Sequence, residues 1–278
     1  MGDLGSPTGS CRHRITQSSE VEQLVTSFTQ NRVVVSNSNT VATVTDDHDE
    51  ALREQIQYYR ARASEYDDWF LRRGRFDRGE DATRRWFEQV EQVRHVLSRL
   101  DLDDKDVLEL APGTGIWTEQ LCARAAHLTA VDASSEMIAL NRERLAERAA
   151  KVNFIEADLF EWRTSHHFDA VVFCFWISHI PASRLDDFLS KVAAMLVPGG
   201  TVFFLDARRD PSSTASDHVL PSVDEEMMTR RLDDGREFSI FKNFWLPSQL
   251  EEKCRRAGLE VTVHETEDYF QFAVGTRI

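Results

Sequence analysis

Basic residues are in short supply: 33 Lys and Arg face 47 Asp and Glu, giving a formal net charge of -14. Without a cationic surplus there is little to displace counterions from a phosphate backbone, so nucleic acid is not an expected partner. Cysteine is sparse as well. Cys11, Cys122, Cys174 and Cys254 lie far apart and form no CxxC pair, which argues against a zinc site and against a disulfide framework. Cys122 and Cys174 sit in apolar runs and read as small core residues. No apolar run approaches the roughly 20 residues a membrane span needs, and the N-terminus has no basic-then-apolar leader pattern. Gly2 and Ser6 match the spacing of a myristoylation signal, but nothing polybasic accompanies them. The expected compartment is reduced and cytoplasmic. No internal repeat is apparent, and no acidic cluster is committed to a metal.

What is present is enough for one large core, or one core with a modest cap, in 278 residues of which 41% are hydrophobic. Residues 1–48 read as an extension with a short amphipathic helix at Val21, Leu24, Val25 and Phe28, capped by Ser18 or Ser19. Too short to stand alone, that helix is expected to dock on its own domain or on a second copy, giving a homo-oligomer. The stretch from Asn31 to Asp47 shows no assignable pattern. Residues 49–100 read as a helical cap, first through Leu52, Ile56, Tyr59, Ala63, Tyr66 and Phe70. After Gly74 and Gly79, a second helix carries Trp86, Phe87, Val90, Val93 and Val96.

From Asp101 to the end the rhythm changes to short apolar runs alternating with amphipathic ones, as in a parallel sheet covered by helices. Strands are expected at Val107–Ala111, Leu128–Val131, Asn153–Ile155, Ala170–Phe175 and Thr201–Leu205. Helices fill the gaps, near Ile116–Ala126, Ser135–Ala149 and Arg184–Leu196, the last stopped by Pro198 and Gly199-Gly200. An Arg-rich excursion over about 207–242 reads as a lid. A helix at Pro247–Ala257 and an antiparallel pair near Glu260–His264 and Tyr269–Val274 close the chain. The fold class is α/β, a doubly wound and mostly parallel seven-stranded sheet.

Chemistry concentrates where strands end. VLELAPGTGIWTEQL, Val107 to Leu121, runs a buried strand into Pro112-Gly113-Thr114-Gly115 and then at once into a helix. Glycines let the loop backbone approach a ligand, and the helix start offers free N–H groups. Open α/β sheets bind ligands beyond the carboxyl ends of their strands, which is where this loop lies. LTAVDASSEMI, Leu128 to Ile138, ends its strand on Asp132, a carboxylate able to accept from two ribose hydroxyls. Asp132 could equally cap the next helix, although Ser134 or Ser135 would serve. VNFIEADLFEW, Val152 to Trp162, supplies Asp158 in the same way, or as a surface turn residue.

Together these three pieces resemble the motifs of class I S-adenosylmethionine (SAM)-dependent methyltransferases. The resemblance covers roughly Glu50 onward and implies SAM as cofactor and S-adenosylhomocysteine (SAH) as product. It implies that Ala111, Gly113 and Gly115 lie against the methionine and ribose part, and that Glu109 faces the amino-acid end. Asp132 and Ala133 would take the ribose; Met137, Ala157, Asp158 and Leu159 would surround the adenine; Phe175 would line the same pocket. A small-molecule acceptor, of the kind found in specialised metabolism, is implied, including C-methylation of isoprenoid or prenylated substrates. O- or N-methylation of a small carboxylate or aromatic acceptor, and a SAM-binding protein without catalysis, are the alternatives. A nicotinamide enzyme would want a third glycine where Thr118 stands. Spermidine-synthase-type transfer shares the fold, but no polyamine site is recognised.

FDAVVFCFWISHIPASRL, Phe168 to Leu185, brings Trp176 and His179 to the loop where cofactor and acceptor would meet. Three roles are open to His179: a base that takes a proton, a group that orients the acceptor, or a structural histidine. Tyr58, Tyr59 and Tyr66 are candidates for covering the cofactor or lining the acceptor site, with plain packing an equal reading. Asp67 and Asp68 read as a solvated face, with contact to a polar group of the acceptor as the alternative. In the excursion, Arg208, Arg209, His218, Arg230 and Arg231 would suit a carboxylate or diphosphate, or would simply pair with nearby acids. Among its aromatics, Phe241 is a candidate for the acceptor site, and Phe238, Phe244 and Trp245 read mostly as core, although their π faces could shelter a cation.

Overall fold

The computed structural model describes residues 38–222 and 224–278, with side chains from His48 onward. The expected helix at Val21–Phe28 and the oligomer contact assigned to it lie outside the described residues. Two compact units divide the chain, Met1–Val44 and Thr45–Ile278, and the sheet belongs to the second. Among the described residues, no helix is long and apolar enough to cross a membrane.

The cap consists of α1 (Ser38–Arg62), α2 (Tyr66–Phe70) and α3 (Glu80–Ser98). The first of these is already helical at Ser38, inside the stretch that carried no assignable pattern. The sheet follows, with β1 (Asp106–Leu110), β2 (His127–Asp132), β3 (Val152–Glu156), β4 (Phe168–Cys174) and β5 (Leu196–Ala207). Between them run α4 (Thr118–Cys122), α5 (Ser135–Leu145) and α6 (Ala182–Met195). The excursion folds into a separate hairpin of β6 (Met227–Arg231) and β7 (Glu237–Phe241). The chain closes with α7 (Pro247–Arg256), β8 (Leu259–Glu265) and β9 (Phe270–Arg277). Strand order in the main sheet is β3-β2-β1-β4-β5-β9-β8, parallel through β5 and antiparallel across β9 and β8. This is the seven-stranded α/β architecture expected from the sequence.

Side chains alternate along each strand, so both faces must be covered. Leu108, Leu110, Val171 and Phe173 enter a core shared with α6 and α7, where Phe173 stacks on Phe204 at 5.2 Å and meets Phe188 edge-on at 5.5 Å. Val107, Ala170 and Val172 enter the opposite core beneath the cap, with Trp86, Val90 and Trp117. Glu109 shares the face of Val107, so the alternation drives a carboxyl into the cap-side core.

Two details differ from the sequence reading. Pro198 does not stop α6: the helix ends at Met195, and Leu196 already pairs with Phe168 in extended backbone. Pro198, Gly199 and Gly200 lie within the span of β5, where the register with β4 shifts between Phe168 and Ala170. The excursion also contains regular structure that the sequence reading did not assign. Asp234-Gly235, with Gly235 at φ 89°, turns two alternating segments into a hairpin, a short-range signal the sequence did carry. Met228, Leu232 and Ile240 of that hairpin pack on Tyr58 of α1. Ser239 and Phe241 donate main-chain N–H groups to Glu54 and Gln55 of the same helix, at 2.7 and 3.0 Å.

Replacing Phe173 by Ala removes the ring at the centre of one core. The expected loss is about 3–5 kcal/mol, read as a lower denaturant midpoint with an unchanged slope; a loss below about 1 kcal/mol would contradict this packing.

Candidate active site

Two adjoining cavities open at the carboxyl ends of β1, β2, β4 and β5. The first spans about 690 Å³, counting its open mouth, and is lined by Ala111, Gly113, Asp132, Ala133, Ser134, Met137, Asp158, Leu159, Phe160, Cys174, Phe175 and Trp176 from the sheet side. From the cap it receives Leu52, Gln55, Ile56, Tyr59 and Tyr66. The second, of about 490 Å³, shares Tyr59, Tyr66 and Phe175 with it and is otherwise walled by Arg62, Trp69, His179, Ser213, Thr214, Arg230, Lys242 and Phe244 among others. Those three aromatic residues therefore form the partition.

The first cavity is built by local strand-to-helix geometry. Gly113 has φ 55°, and the Tyr66 hydroxyl lies 4.0 Å from where a Cβ would stand. Asp132 accepts from the N–H groups of Gly113 at 3.1 Å and Ser134 at 2.9 Å, tying the glycine loop to the end of β2. Burial raises its pKa to about 6 despite those bonds. Helix α5 is capped by Ser134, whose Oγ accepts from the Met137 N–H, so Asp132 is not spent on that helix. Asp158 Oδ1 accepts from the Phe160 N–H at 2.8 Å. Ala111 and Phe175 both adopt positive φ, 52° and 57°, at the ends of β1 and β4. Non-glycine residues reach that region only when the surroundings enforce it.

Gly115 does not line the cavity. At φ 90°, a Cβ there would stand 2.4 Å from Asn141 Oδ1, so the glycine permits close packing of α5 on the loop. Ala157 is likewise a core neighbour whose N–H donates to Asp132 O at 2.9 Å. Glu109 lies just behind the loop, 2% exposed, with Oε2 unpartnered. Burial pushes its pKa up to about 8, opposed by a hydrogen bond with Thr118. Asp67, read from sequence as solvated, instead accepts from Thr114 Oγ1 at 2.6 Å and pairs with Arg144, locking the cap onto the glycine loop.

In the second cavity, His179 is 5% exposed. Its Nδ1 lies 2.7 Å from the Phe241 carbonyl, which can only accept, so Nδ1 carries the proton. Nε2 is then the acceptor for the Tyr59 hydroxyl at 2.9 Å. Burial, with Lys242, Arg230 and Arg62 nearby, holds the imidazole pKa well below its usual value, so the ring is neutral. Lys242 Nζ meets Asp206 at 3.2 Å and Ser178 Oγ at 2.7 Å. Arg230 donates to Thr214 Oγ1 at 2.7 Å. Arg62 is 7% exposed, lies 5.0 Å from the Tyr66 ring centre, and has no carboxylate within ion-pair distance among the described residues.

Four residues expected at the acceptor site stand elsewhere. Tyr58 is 1% exposed in the small hairpin core, because one step along a helix from Tyr59 turns the side chain by about 100°. Phe241 contributes its carbonyl and N–H while its ring is buried. Arg208 binds the carbonyls of Thr266 and Glu267, and Arg209 that of Pro221, both on the rim of a separate outer depression. Sequence reasoning missed Arg62, Lys242 and Gln55, which only the meeting of cap and hairpin brings together.

Residues 107–200 match the family described as "Methyltransferase domain". The ubiquinone biosynthesis O-methyltransferase of Aromatoleum aromaticum is 30% identical over 192 residues, covering 63% of this chain and 77% of that one. The DhpI–SAH complex superposes with a TM-score of 0.66 at 33% identity, covering 82% of this chain and 97% of that chain. A DhpI–SAM–HEP complex superposes equally well, at 34% identity. This chain is a class I SAM-dependent methyltransferase. The methyltransferase uses SAM as its cofactor. The PH0226 protein from Pyrococcus horikoshii, at 20% identity and a TM-score of 0.59, shares the fold.

The raised Glu109 pKa gives a test without ligand. Its stability contribution is full below the ordinary carboxyl value near 4.5 and is lost as pH rises towards about 8. Denaturation of Glu109→Gln and wild type should therefore show the wild type losing ground between pH 4.5 and 8, by at most about 1.4 kcal/mol per unit, and no further above. A pH-independent difference would refute the buried, unpaired carboxyl.

Proposed function

We propose that this methyltransferase moves the methyl group of SAM to an oxygen of a small, negatively charged acceptor held by Arg62, Arg230 and Lys242. The observation that carries this reading is Arg62, whose guanidinium is buried against the second cavity with no carboxylate within ion-pair distance among the described residues, Glu65 acting on it only from farther off. A buried, unpaired charge costs several kcal/mol, and an anionic ligand offsets that cost. Lys242 has Asp206, and among the described residues Arg230 has only neutral partners, so the cavity carries a positive excess there.

The cofactor fits the first cavity on chemical grounds. The Gly113 backbone allows close approach of its sugar, Asp132 offers a carboxylate to the ribose hydroxyls, and Asp158 offers one to the adenine amino group. Met137 and Leu159 supply apolar surface for the base, and Glu109 an unused acceptor toward the amino-acid end. When bound, SAM supplies a sulfonium methyl: an acceptor lone pair forms the O–CH3 bond as the C–S pair returns to sulfur. The protein's part is to hold both partners in line across the Tyr59, Tyr66 and Phe175 partition.

An oxyanion already has its lone pair exposed, so no base is needed. That accords with His179, which is neutral and has Nε2 engaged by Tyr59. We read His179 as the residue that aims the Tyr59 hydroxyl, itself fixed by the hairpin through Phe241. Methylation of carbon on an uncharged isoprenoid, one of the other readings open to the sequence, would fill a cationic space with hydrocarbon and is disfavoured for that reason. The ubiquinone biosynthesis O-methyltransferase relative supports oxygen as the acceptor atom, and the DhpI complex with SAM and HEP supports a second ligand beside SAM.

Incubation with SAM and a panel of small carboxylates and phosphate monoesters should release SAH, while their neutral esters should not react. Turnover only with uncharged phenols or alkenes would overturn the reading. Arg62→Met should raise the KM for the anion at least about tenfold, the scale of a charge-assisted hydrogen bond, and leave SAM affinity within twofold.

A further inference from the structure

The cationic cavity does not end at its own wall. Ala207, Lys242 and Phe244 line it, while Arg208, Asn243 and again Phe244 line the outer depression. The same two chain segments thus pass from one space into the other, and the Phe244 ring, 5.3 Å from Lys242 Nζ, is the threshold between them.

The two spaces have opposite charge. Asp210, Glu225, Glu226, Glu265, Glu267 and Asp268 line the depression against Arg208 and Arg209. Both arginines are held by main-chain carbonyls, Arg208 also by Glu265 at 2.9 Å, and Asp268 has Arg85 at 3.7 Å. Asp210, Glu225 and Glu226 are held by backbone N–H groups and, among the described residues, have no cation within ion-pair distance. A run of acidic residues on a protein with net charge -14 would mean little alone. Gln271 makes the difference. It is 3% exposed, it lines the depression, and its Oε1 is a buried acceptor with no donor. Its register partner is Asp206, so the two side chains share a face of the sheet, the face from which Asp206 reaches Lys242. An amide oxygen without a donor is costly when buried. Just beyond the cationic pocket, the molecule therefore presents an amide acceptor and carboxylates, the set that suits an ammonium group with N–H donors.

We infer that the acceptor is zwitterionic, with its oxyanion among Arg62, Arg230 and Lys242 and an ammonium past Phe244, against Gln271 and the acidic rim. This rests on the anionic-acceptor reading above and adds the second charge. It also sets a reach: the chain between the two charges must cross the Phe244 threshold, so spacer length is selected as well as charge.

The test is titration calorimetry on the full chain saturated with SAH, using ω-aminoalkyl phosphates of increasing spacer length and the matching alkyl phosphates. At the best spacer, the amine should bind at least tenfold more tightly than its alkyl counterpart. In Glu225→Gln/Glu267→Gln, two exposed positions, that gap should shrink to under threefold while SAH still binds, which reports an intact fold. Equal affinities at every spacer would overturn the zwitterion and leave the anionic reading standing, as would a gap undiminished in the variant. If no phosphate binds although SAH does, both readings fall.

Discussion

A guanidinium or ammonium group leaves water only at a cost of several kcal/mol, and Arg62, Arg230 and Lys242 do so around one cavity where, among the described residues, Asp206 on Lys242 is the only paired carboxylate. Each of the three comes from a different part of the chain: α1, β6 and the segment after β7. None could be held there by its own element. The cap and hairpin are tied together by Gln55, which accepts from the Phe241 N–H and donates to the His179 carbonyl. Glu54 and Tyr58 complete the seam. Apolar burial along that seam offsets the desolvation of the cations, so the site exists only when cap, hairpin and sheet are all assembled.

The partition matters because methyl transfer depends on alignment more than on acid–base chemistry. Tyr59 reaches His179, His179 reaches the Phe241 carbonyl, and the hairpin holds that carbonyl in place. Tyr66 lies between Gly113 and Arg62. The wall between the two cavities is thus braced from the glycine loop on one side and from the hairpin on the other. Positive φ at Ala111 and Phe175 lies on the same wall, where two strand ends are bent into the cavity.

Legibility in the sequence followed the distance over which each feature is built. Gly113, Asp132, Asp158, Met137 and Leu159 each stand within a few residues of a strand end, and all line one cavity. Their spacing encodes their position. The acceptor side was judged instead from the doublet Arg208-Arg209 and from aromatic content, and those arginines turn outward onto main-chain carbonyls. Tyr58 and Tyr59 were indistinguishable as neighbours; only the helix face that meets the hairpin separates them. The hairpin itself carried an Asp234-Gly235 signal that the polarity of its surroundings obscured.

The sequence by itself determined the parallel sheet, its order of elements and the loops that line the cavity at its crest, because those follow from alternation within strands and from loops a few residues long. Tertiary structure decided the rest. Whether a buried Arg62 has a counter-ion, which tautomer His179 adopts and where Gln271 points are all set by groups many tens of residues away. Electrostatics and burial depend on distances in space, and a linear pattern specifies those only where the fold is locally built.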